Sequence, residues 1–275
     1  MKILLTGSTG FLGRYFYTFF KDRYDVTALS HADLNLEDPI LVTEFLKNTY
    51  FDIVIHTAVA GRELVQSIDK NIAEKNLQMF FNLYSNREHY GRFINFGSGA
   101  EFGLDRDIDL FHEDEIFTCF PKESYGFSKN IIARVIRNTD KFYNLRVFSC
   151  FDSSETDNRL LKKFLKSVET NKVFTVDQDR YVDFISLTDL AKVTELVIQG
   201  KILNKDFNVV YKEKLLVSDT LKLFAAQHGI DVGLVATTAT KGKSYTGNGE
   251  LLDQYKISLD GLEKSLANYQ TKLVL

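Results

Sequence analysis

The sequence predicts an α/β fold, with a parallel β-sheet that carries helices on both faces and a smaller lobe toward the C-terminus. Short apolar runs alternate with amphipathic stretches through the first 150 residues, and this alternation loosens afterwards. A glycine-rich turn follows the first apolar run directly. Parallel neighbouring strands need a crossover between them, so regular strand–helix alternation indicates a parallel sheet.

Five apolar runs are predicted to be buried strands, because they are short and rich in β-branched and aromatic residues. They are "KILLT" (2–6), "DVTAL" (25–29), "DIVIHTA" (52–58), "RFINF" (92–96) and "LRVFS" (145–149). Helical patterns fill the intervals at about 11–21, 39–48, 65–86 and 124–139. We therefore assign residues 1–152 to the sheet-forming domain.

Residues 153–275 are predicted to be a mixed segment. A helical pattern near 159–170 precedes a strand-like run at 173–176 and then "YVDFISLTDLAKVTELVIQ" (181–199), which is typical of strand, turn and helix. We expect 178–200 to return to the sheet of the first domain. The rest is expected to form a smaller lobe over the carboxyl edge of the sheet, ending in an amphipathic helix near 258–269.

The composition excludes several classes of protein. The net charge is −3 and the pI about 6.0, so nucleic acid is not an expected partner. No apolar run of about 18 residues occurs and the N-terminus lacks the layout of a signal peptide, which predicts a cytoplasmic protein without a membrane partner. Cys119 and Cys150 have neither metal-ligand spacing nor a disulfide framework, so no metal site is expected.

The glycine turn "TGSTGFLGR" places Gly7, Gly10 and Gly13 between the first strand and the first helix. One glycine permits a tight turn, a second allows the backbone to approach a pyrophosphate, and the third allows the helix to pack closely on the strand. The N-terminus of the helix then presents its N–H groups and dipole to the phosphates. This arrangement predicts a dinucleotide site in a Rossmann-type, doubly wound sheet.

The end of the second strand bears on which dinucleotide binds. An Asp or Glu there would accept a hydrogen bond from the ribose 2′-hydroxyl of NAD. The strand ends in "ALSHAD", with Ser30 and His31 and no acid before Asp33. Arg14 could hold a 2′-phosphate as a bidentate donor, although it could equally be a solvated first-turn residue. We expect NADP rather than NAD.

The stretch "SYGFSKN" places Tyr125 and Lys129 four residues apart, on one face of a predicted helix. A solvated helix face is the ordinary explanation of such a pair. The chemical alternative is a proton-transfer device, because a nearby cation lowers the pKa of a phenol toward neutrality. Ser98 follows the strand "RFINF" at the carboxyl edge, where open α/β sheets bind ligands.

Together, "TGSTGFLG", "HTAVA", "GSGAEFG" and "YGFSK" resemble the extended short-chain dehydrogenase/reductase family over almost the whole chain. More narrowly, they are similar to its sugar-nucleotide epimerase, dehydratase and reductase branch, which includes dTDP-4-dehydrorhamnose reductases and GDP-fucose synthases. The resemblance implies an NAD(P)-dependent oxidoreductase that acts on a nucleotide sugar. Family members often form homodimers through the helix that corresponds to the one bearing Tyr125.

The resemblance also implies residue roles. Tyr125 matches the proton-transfer tyrosine, Lys129 the lysine that binds the nicotinamide ribose, and Ser98 the residue that hydrogen-bonds the substrate oxygen. Arg180 lies two residues from the position of an arginine on the nucleotide diphosphate of the substrate. Further cofactor contacts are implied at Thr9, Phe11, Leu12, Asp33, Leu34 and Ala58, of which Asp33 and Leu34 would meet the adenine.

Gly99 and Ala100 narrow the expected reaction. The 4,6-dehydratases of the family carry an Asp–Glu pair at these two positions. GDP-fucose synthases carry a Cys where this chain has Ala100, and a downstream His, whereas "CFDSSETDN" (150–158) contains none. Hydride transfer to the carbonyl of a nucleotide-linked keto sugar, such as a 4-keto-6-deoxy hexose in deoxysugar or surface polysaccharide biosynthesis, is therefore expected. The alternatives are an NAD-retaining C4 epimerase and a non-catalytic dinucleotide sensor.

Overall fold

The computed structural model describes residues 1–61 and 70–271. Its strands are β1 (Lys2–Thr6), β2 (Asp25–Leu29), β3 (Phe51–His56), β4 (Tyr90–Ser98), β5 (Ile108–Phe111), β6 (Phe142–Val147), β7 (Ser149–Phe151), β8 (Phe174–Val176), β9 (Phe184–Ser186), β10 (Asp206–Asn208), β11 (Val235–Thr237) and β12 (Tyr245–Gly247). Its α-helices are α1 (Phe11–Phe20), α2 (Pro39–Asn48), α3 (Lys70–Ser85), α4 (Ser124–Arg137), α5 (Leu160–Glu169), α6 (Leu187–Ile198), α7 (Val217–Gln227), α8 (Glu250–Asp253) and α9 (Gly261–Ala267). Part of the helix predicted at 65–86 falls at 65–69, outside the described residues.

Six parallel strands form the central sheet, in the order β10-β6-β4-β3-β1-β2. The strand order reverses at β1, because β2 lies on one side of β1 and β3 lies on the other. The carboxyl ends of all six strands meet at one edge. The predicted α/β fold with a parallel sheet is confirmed.

Helices cover both faces of the sheet because alternate residues of each buried strand point to opposite sides. Ile3 and Leu5 of β1 pack in one apolar cluster with Phe16 of α1, whereas Leu4 packs in a second cluster with Val42 of α2. The first cluster continues into α6 and the C-terminal helices, and the second contains α3 and α4. The C-terminal lobe therefore shares its core with the α1 face of the sheet.

Local sequence sets the helix boundaries where a cap is present. Pro39 occupies the first turn of α2, and Asp38 Oδ1 accepts hydrogen bonds from the N–H groups of Ile40 (2.8 Å) and Leu41 (3.1 Å). Both features favour a helix start at this point. Within 1–61 and 70–271, no helix has the length and apolar character needed to cross a membrane.

The segment 178–200 returns toward the sheet differently from the expectation. Its strand β9 pairs with β7 in a separate two-stranded sheet, and α6 packs against α1. The strand that extends the central sheet is β10, beside β6. The chain leaves the central sheet at Phe148, whose buried ring packs in a third apolar cluster with Phe102. The apolar run at 145–149 is thus divided between β6 and β7.

Candidate active site

A cleft of about 1380 Å³ opens at the carboxyl edge of the central sheet. Ligand pockets for single small molecules usually measure about 300–1,000 Å³, so this cleft has room for a dinucleotide and a second ligand. One side, here called the glycine-turn wall, consists of lining residues between 6 and 14, 29 and 37, and 56 and 60. A second group of lining residues, here called the cation wall, consists of the basic residues Arg106, Arg159, Lys163, Arg180 and Lys243.

The glycine turn depends on two close approaches of backbone. Gly7 has φ +72°, and a Cβ atom there would lie 2.5 Å from the Ala58 backbone nitrogen. A Cβ atom at Gly13 would lie 2.1 Å from the Gly7 carbonyl oxygen. Only glycine fits at both positions, because a side chain would push α1 and the segment after β3 away from the turn.

The start of α1 faces the cleft. Gly10 precedes the helix, is exposed and has no side chain that could cap its first turn. The dipole and N–H groups of this helix end are suited to an anion. Six residues of the turn line the cleft: Gly7, Thr9, Gly10, Phe11, Leu12 and Arg14. Gly13 is buried behind them, where it serves the packing of α1.

The end of β2 presents both signs of charge. Ser30, His31, Leu34 and Ala58 line the cleft with the guanidinium-bearing Arg14, which donates to the Thr9 carbonyl at 2.9 Å. The Asp33 carboxylate accepts hydrogen bonds from Ser30 Oγ (2.6 Å) and Ser30 N (2.8 Å), and these bonds lower the pKa of Asp33. Asp33 is thus held against Ser30 rather than placed on the cleft surface.

Lys129 is held under the centre of the cleft. It is buried, and its Nζ donates to the Phe96 carbonyl oxygen of β4 at 2.8 Å. Burial, together with the Lys129 ammonium, lowers the pKa of His56 to about 3. His56 is therefore neutral, with Nδ1 2.9 Å from Thr6 Oγ1. Of Lys129, His56 and Thr6, Lys129 is therefore the one that carries a charge.

Tyr125 is placed by the first turn of α4. A Cβ atom at Gly126 would lie 2.5 Å from the Ala100 carbonyl oxygen, so this glycine allows α4 to approach the segment after β4. Ser128 Oγ donates to the Tyr125 carbonyl at 2.8 Å and receives a hydrogen bond from Asn76 Nδ2 at 3.2 Å. Tyr125, Lys129 and Ser98 all line the same cleft.

Asn76 also fixes the glycine-turn wall, since its Oδ1 accepts from the Ala60 N–H at 2.8 Å. This buried residue of α3 links the segment after β3 to the helix that carries Tyr125. The sequence motifs do not predict this linking role of Asn76. An asparagine on the apolar side of a predicted helix is the signal that could have found it, because buried polar groups need partners.

Ser98 lies at the end of β4 and begins a 3₁₀ turn over Gly99–Phe102. Its Oγ accepts a hydrogen bond from the Ala100 N–H (3.2 Å), and Glu101 Oε1 accepts one from the Ser98 N–H (2.8 Å). This reciprocal capping box fixes the backbone of Ser98. Glu101 thus has a structural task close to Ser98.

A buried ionic network supports this capping box. Arg146 on β6 is fully buried and pairs with Glu101 at 2.6 Å and with Asp206 on β10 at 2.8 Å. Burial raises the pKa of Glu101, while the Arg146 guanidinium opposes the rise. Through Glu101, the network links Ser98 at the end of β4 to Arg146 on β6 and to Asp206 on β10.

The cation wall gives the cleft its electrostatic character. Among the residues that the structure describes, the lining contains seven Lys or Arg residues, counting Arg14 and Lys129, and two acidic residues, Glu37 and Asp105. The chain as a whole has a net charge of −3. This local excess of positive charge favours ligands that carry phosphate groups. Arg180, predicted as a substrate contact, belongs to this wall.

The arrangement agrees with a family comparison. Residues 3–210 match the model of the NAD dependent epimerase/dehydratase family. The chain belongs to this family. The expected fold, family and enzyme class are thereby confirmed, and a nicotinamide dinucleotide is the cofactor class of the site. The individual roles of Ser98, Tyr125 and Lys129 stay predictions.

Characterised proteins of several kinds are similar to this epimerase/dehydratase family member. A GDP-6-deoxy-D-talose 4-dehydrogenase from Aggregatibacter actinomycetemcomitans is 22% identical over 238 residues, which cover 76% of this chain and 74% of that protein. A dTDP-4-dehydrorhamnose reductase structure from Clostridium acetobutylicum has a TM-score of 0.80, with 20% identity and 98% of each chain covered. A GDP-mannoheptose C4 reductase from Campylobacter jejuni, solved with NADP, has a TM-score of 0.77, with 19% identity and 96% of each chain covered.

Proposed function

We propose that this protein reduces the keto group of a nucleotide-linked sugar with NADPH, and that a 4-keto-6-deoxy hexose is the first substrate to test. The observation that carries the proposal is that Ser98, Tyr125 and Lys129 line one cleft. The glycine turn and the basic residues of the cation wall line the same cleft. The names of the similar proteins, two C4-type reductases or dehydrogenases and a dehydrorhamnose reductase, support the same reaction class.

The residues of the glycine-turn wall fit a dinucleotide. The exposed Gly10 at the start of α1 would receive the pyrophosphate, Ala58 would pack beside the cofactor, and Lys129 would hold the nicotinamide ribose. When bound, NADPH supplies the hydride that reaches the keto carbon. The remaining chemistry falls to side chains of this protein.

Three side chains would handle the oxygen and its proton. Ser98 and Tyr125 donate hydrogen bonds to the carbonyl oxygen as negative charge develops on it, and Tyr125 then gives up its proton. The ammonium of Lys129, held by the Phe96 carbonyl, favours the resulting phenolate. Both residues line the same cleft, and this supports the proposal that one substrate oxygen accepts hydrogen bonds from the two hydroxyls.

Two buried carboxylates that adjoin cleft-lining residues in sequence, Glu101 and Glu155, are each paired with an arginine. Glu101 is buried and paired with Arg146, and Glu155 is buried and paired with Arg159 at 3.0 Å. Among the described residues, the cleft lining has Glu37 and Asp105 as its acids. Asp105 lies 3.1 Å from the Lys122 ammonium. This distribution of acids supports a plain reduction over water elimination or proton exchange beside the keto group.

NADPH is proposed over NADH because Arg14 lines the cleft beside Ser30 and His31, where a 2′-phosphate would lie. The Asp33 carboxylate opposes this preference, since it is 2.6 Å from Ser30 Oγ. Arg14 lines the cleft, with its guanidinium bound to the Thr9 carbonyl, whereas the Asp33 carboxylate is bound to Ser30. The two charges therefore set the cofactor preference between them.

The cation wall is proposed to bind the diphosphate of the sugar nucleotide. Four of its five basic residues, Arg159, Lys163, Arg180 and Lys243, come from the segment after residue 152. This origin supports a division into a dinucleotide-binding domain at 1–152 and a mixed segment at 153–275 that carries the substrate-binding lobe. Arg180 is exposed on this wall and forms no ion pair within residues 1–61 and 70–271.

A homodimer is also proposed, through the face of α3 and α4. Phe81 on α3 and Phe127 on α4 are 37% and 38% exposed, and the two helices pack against each other. Large exposed aromatic side chains on adjacent helices favour association with a second apolar surface. Sedimentation velocity at increasing protein concentration tests this point, and a monomer at all concentrations would contradict it.

The function is tested by mixing the purified protein with NADPH and a panel of nucleotide-linked 4-keto-6-deoxy sugars. We expect NADPH oxidation with at least one member, and we expect it to be lost in Tyr125→Phe. An epimerase would instead purify with bound NAD and interconvert sugars without added NADPH. A sensor would bind the dinucleotide and turn over no member of the panel.

A further inference from the structure

A second tyrosine reaches the active-site serine from the C-terminal lobe. The hydroxyl of Tyr245, on β12, lies 3.3 Å from Ser98 Oγ, although the two residues are 147 positions apart. Tyr245 also lines the cleft. The proposed reduction involves Ser98, Tyr125 and Lys129, and Tyr245 has no role in it.

The backbone of Tyr245 is fixed from two directions. Its N–H donates to the Tyr181 carbonyl at 2.8 Å, and its carbonyl accepts from the Asp183 N–H at 3.1 Å. On the other side β12 runs alongside β5, with Tyr245 opposite Ile108. The side chain is therefore delivered to Ser98 by a rigid frame rather than by a mobile loop.

The ring of Tyr245 is fitted against the 3₁₀ turn that Ser98 begins. It meets Phe148 edge to face, with centroids 5.1 Å apart at 68°. A Cβ atom at Gly99 would lie 2.8 Å from Tyr245 Cζ. A side chain at position 99 would therefore displace the hydroxyl-bearing end of the ring, and glycine is what allows the approach.

The hydrogen-bonding capacity of Ser98 decides what this contact does. A serine hydroxyl donates one proton and accepts up to two hydrogen bonds. The Ala100 N–H already donates to Ser98 Oγ at 3.2 Å. If Tyr245 donates as well, both acceptor positions are filled and the Ser98 proton is left for the cleft, where the substrate oxygen would accept it.

We propose that Tyr245 is a positioning residue for Ser98, donating its hydroxyl proton to Ser98 Oγ so that the Ser98 proton is directed at the substrate carbonyl oxygen. The inference rests on the proposed reductase function and adds a residue to it. Burial raises the pKa of Tyr245, and the hydrogen bond with Ser98 opposes the rise only in part, so Tyr245 keeps the proton it donates.

A kinetic double-mutant cycle tests the proposal with wild type, Tyr245→Phe, Ser98→Ala and the double variant. We expect Tyr245→Phe to lower kcat about three- to tenfold, the effect of one hydrogen bond, with the KM for the keto sugar and the Kd for NADPH changed less than twofold. In the Ser98→Ala background the same substitution should change kcat less than twofold, because the group on which it acts is gone.

Tyr15→Phe is the matched control. It removes a tyrosine hydroxyl that also contacts a hydroxyl, Thr188 Oγ1 at 2.8 Å, but Tyr15 is not part of the cleft lining. Its effect should be the same with and without Ser98→Ala. An equal loss of kcat from Tyr245→Phe in both backgrounds would overturn the proposal, since it would show a direct substrate contact or a general structural effect.

Urea unfolding of the same four proteins provides a readout that needs no substrate. We expect the effects of Tyr245→Phe and Ser98→Ala on the unfolding constant to be coupled by about two- to fivefold, as for a single hydrogen bond. Strict additivity would show that the hydroxyl pair does not form and would overturn the inference. Failure of the proposed function gives a different result, a wild type that reduces no keto sugar, and the unfolding cycle still decides on the hydroxyl pair.

Discussion

The glycine-turn wall of the cleft comes from three short segments within the first 60 residues, whereas the cation wall is made of side chains from segments far apart in the chain. Gly7 and Gly13 act by lacking a side chain, and Gly10 acts by opening a helix end. Arg106 and Lys243, by contrast, reach the cleft from segments more than 130 residues apart. The glycine-turn wall, proposed to bind the cofactor, is therefore encoded locally, whereas the cation wall, proposed to bind the substrate, is assembled by the fold.

Tyr125 lines the same cleft as the two walls, and its substitution has the largest expected effect. Tyr125→Phe removes the proton donor, so kcat should fall about 10²- to 10⁴-fold, while the Kd for NADPH stays nearly unchanged. Lys129→Met should damage both quantities because Lys129 is expected to contact the ribose as well as the phenol. Steady-state assays and fluorescence titration with NADPH measure the two effects. More than a tenth of the wild-type rate in Tyr125→Phe would disprove the assignment.

The buried ionic network of Glu101, Arg146 and Asp206 has the next largest expected effect. Arg146→Met leaves the buried carboxylates of Glu101 and Asp206 without their shared cation, and we expect a loss of about 3–5 kcal/mol in the free energy of unfolding. Urea denaturation measures it. Lys205→Met is the control, because Lys205 forms an exposed 2.7 Å pair with Asp140 and should leave stability almost unchanged. Equal effects of the two substitutions would refute the role of the network.

Asp183, which anchors β12, makes the frame of the cation wall sensitive to pH. Burial raises the pKa of its carboxyl to about 6, while Lys214 at 2.6 Å and the Gly247 N–H oppose the rise. In the unfolded chain this carboxyl titrates near 3.8. Between these two values the unfolded chain releases a proton that the folded chain keeps, so the stabilising contribution is complete below pH 3.8 and is lost as the pH rises through about 6.

The loss should reach about 3 kcal/mol, since each unit of pKa difference corresponds to about 1.4 kcal/mol. Asp183→Asn removes this titration, so its free energy of unfolding should rise relative to wild type between pH 4 and pH 7. Urea denaturation across this range provides the measurement, with Asp140→Asn as the exposed control. A difference between variant and wild type that does not vary with pH would count against the buried carboxyl.

Local rules explain why much of the sheet domain could be predicted from sequence. The strands at 2–6 and 25–29 and the helix at 39–48 have the expected bounds, because apolar runs, a glycine turn and a proline after Asp38 mark them within a few residues. The start of β6 was placed three residues late. Asn144 and Arg146 interrupt its apolar pattern, and their burial is explained by an ionic network that involves β10, which lies 60 residues away in sequence.

Distance in sequence also explains what was missed at the site. Gly7, Ser98 and Tyr125 follow motifs of adjacent residues, and all line the cleft as expected. Nothing near Tyr245 in the sequence indicates a contact with Ser98, because the position of β12 depends on its pairing with β5 and on backbone bonds to Tyr181 and Asp183, all distant in sequence. The adenine contact of Asp33 stays a prediction, and the bond between its carboxylate and Ser30 is a short-range contact that residue spacing alone does not specify.

The cofactor preference is a smaller effect and is confined to the glycine-turn wall. Arg14→Met should lower the ratio of kcat/KM for NADPH to that for NADH by about tenfold, because it removes the cation proposed for the 2′-phosphate. Asp33→Asn should raise the same ratio by a smaller factor, since the exposed carboxylate is screened by solvent and salt. Steady-state kinetics with both cofactors measure the ratios. A wild type that uses NADH as well as NADPH would contradict the proposed preference.

The central claim is that the cleft transfers one hydride and has no base beside the keto group, and reaction in deuterated water tests it most directly. The protein is incubated with NADPH and its nucleotide-linked 4-keto sugar, and the product is examined by NMR while NADPH oxidation is recorded. We expect one NADPH oxidised for each sugar reduced and no deuterium at C3 or C5 above an enzyme-free control. Deuterium at either carbon would reveal a base, with Asp105 as the first residue to substitute. Product formed without NADPH oxidation would contradict the account.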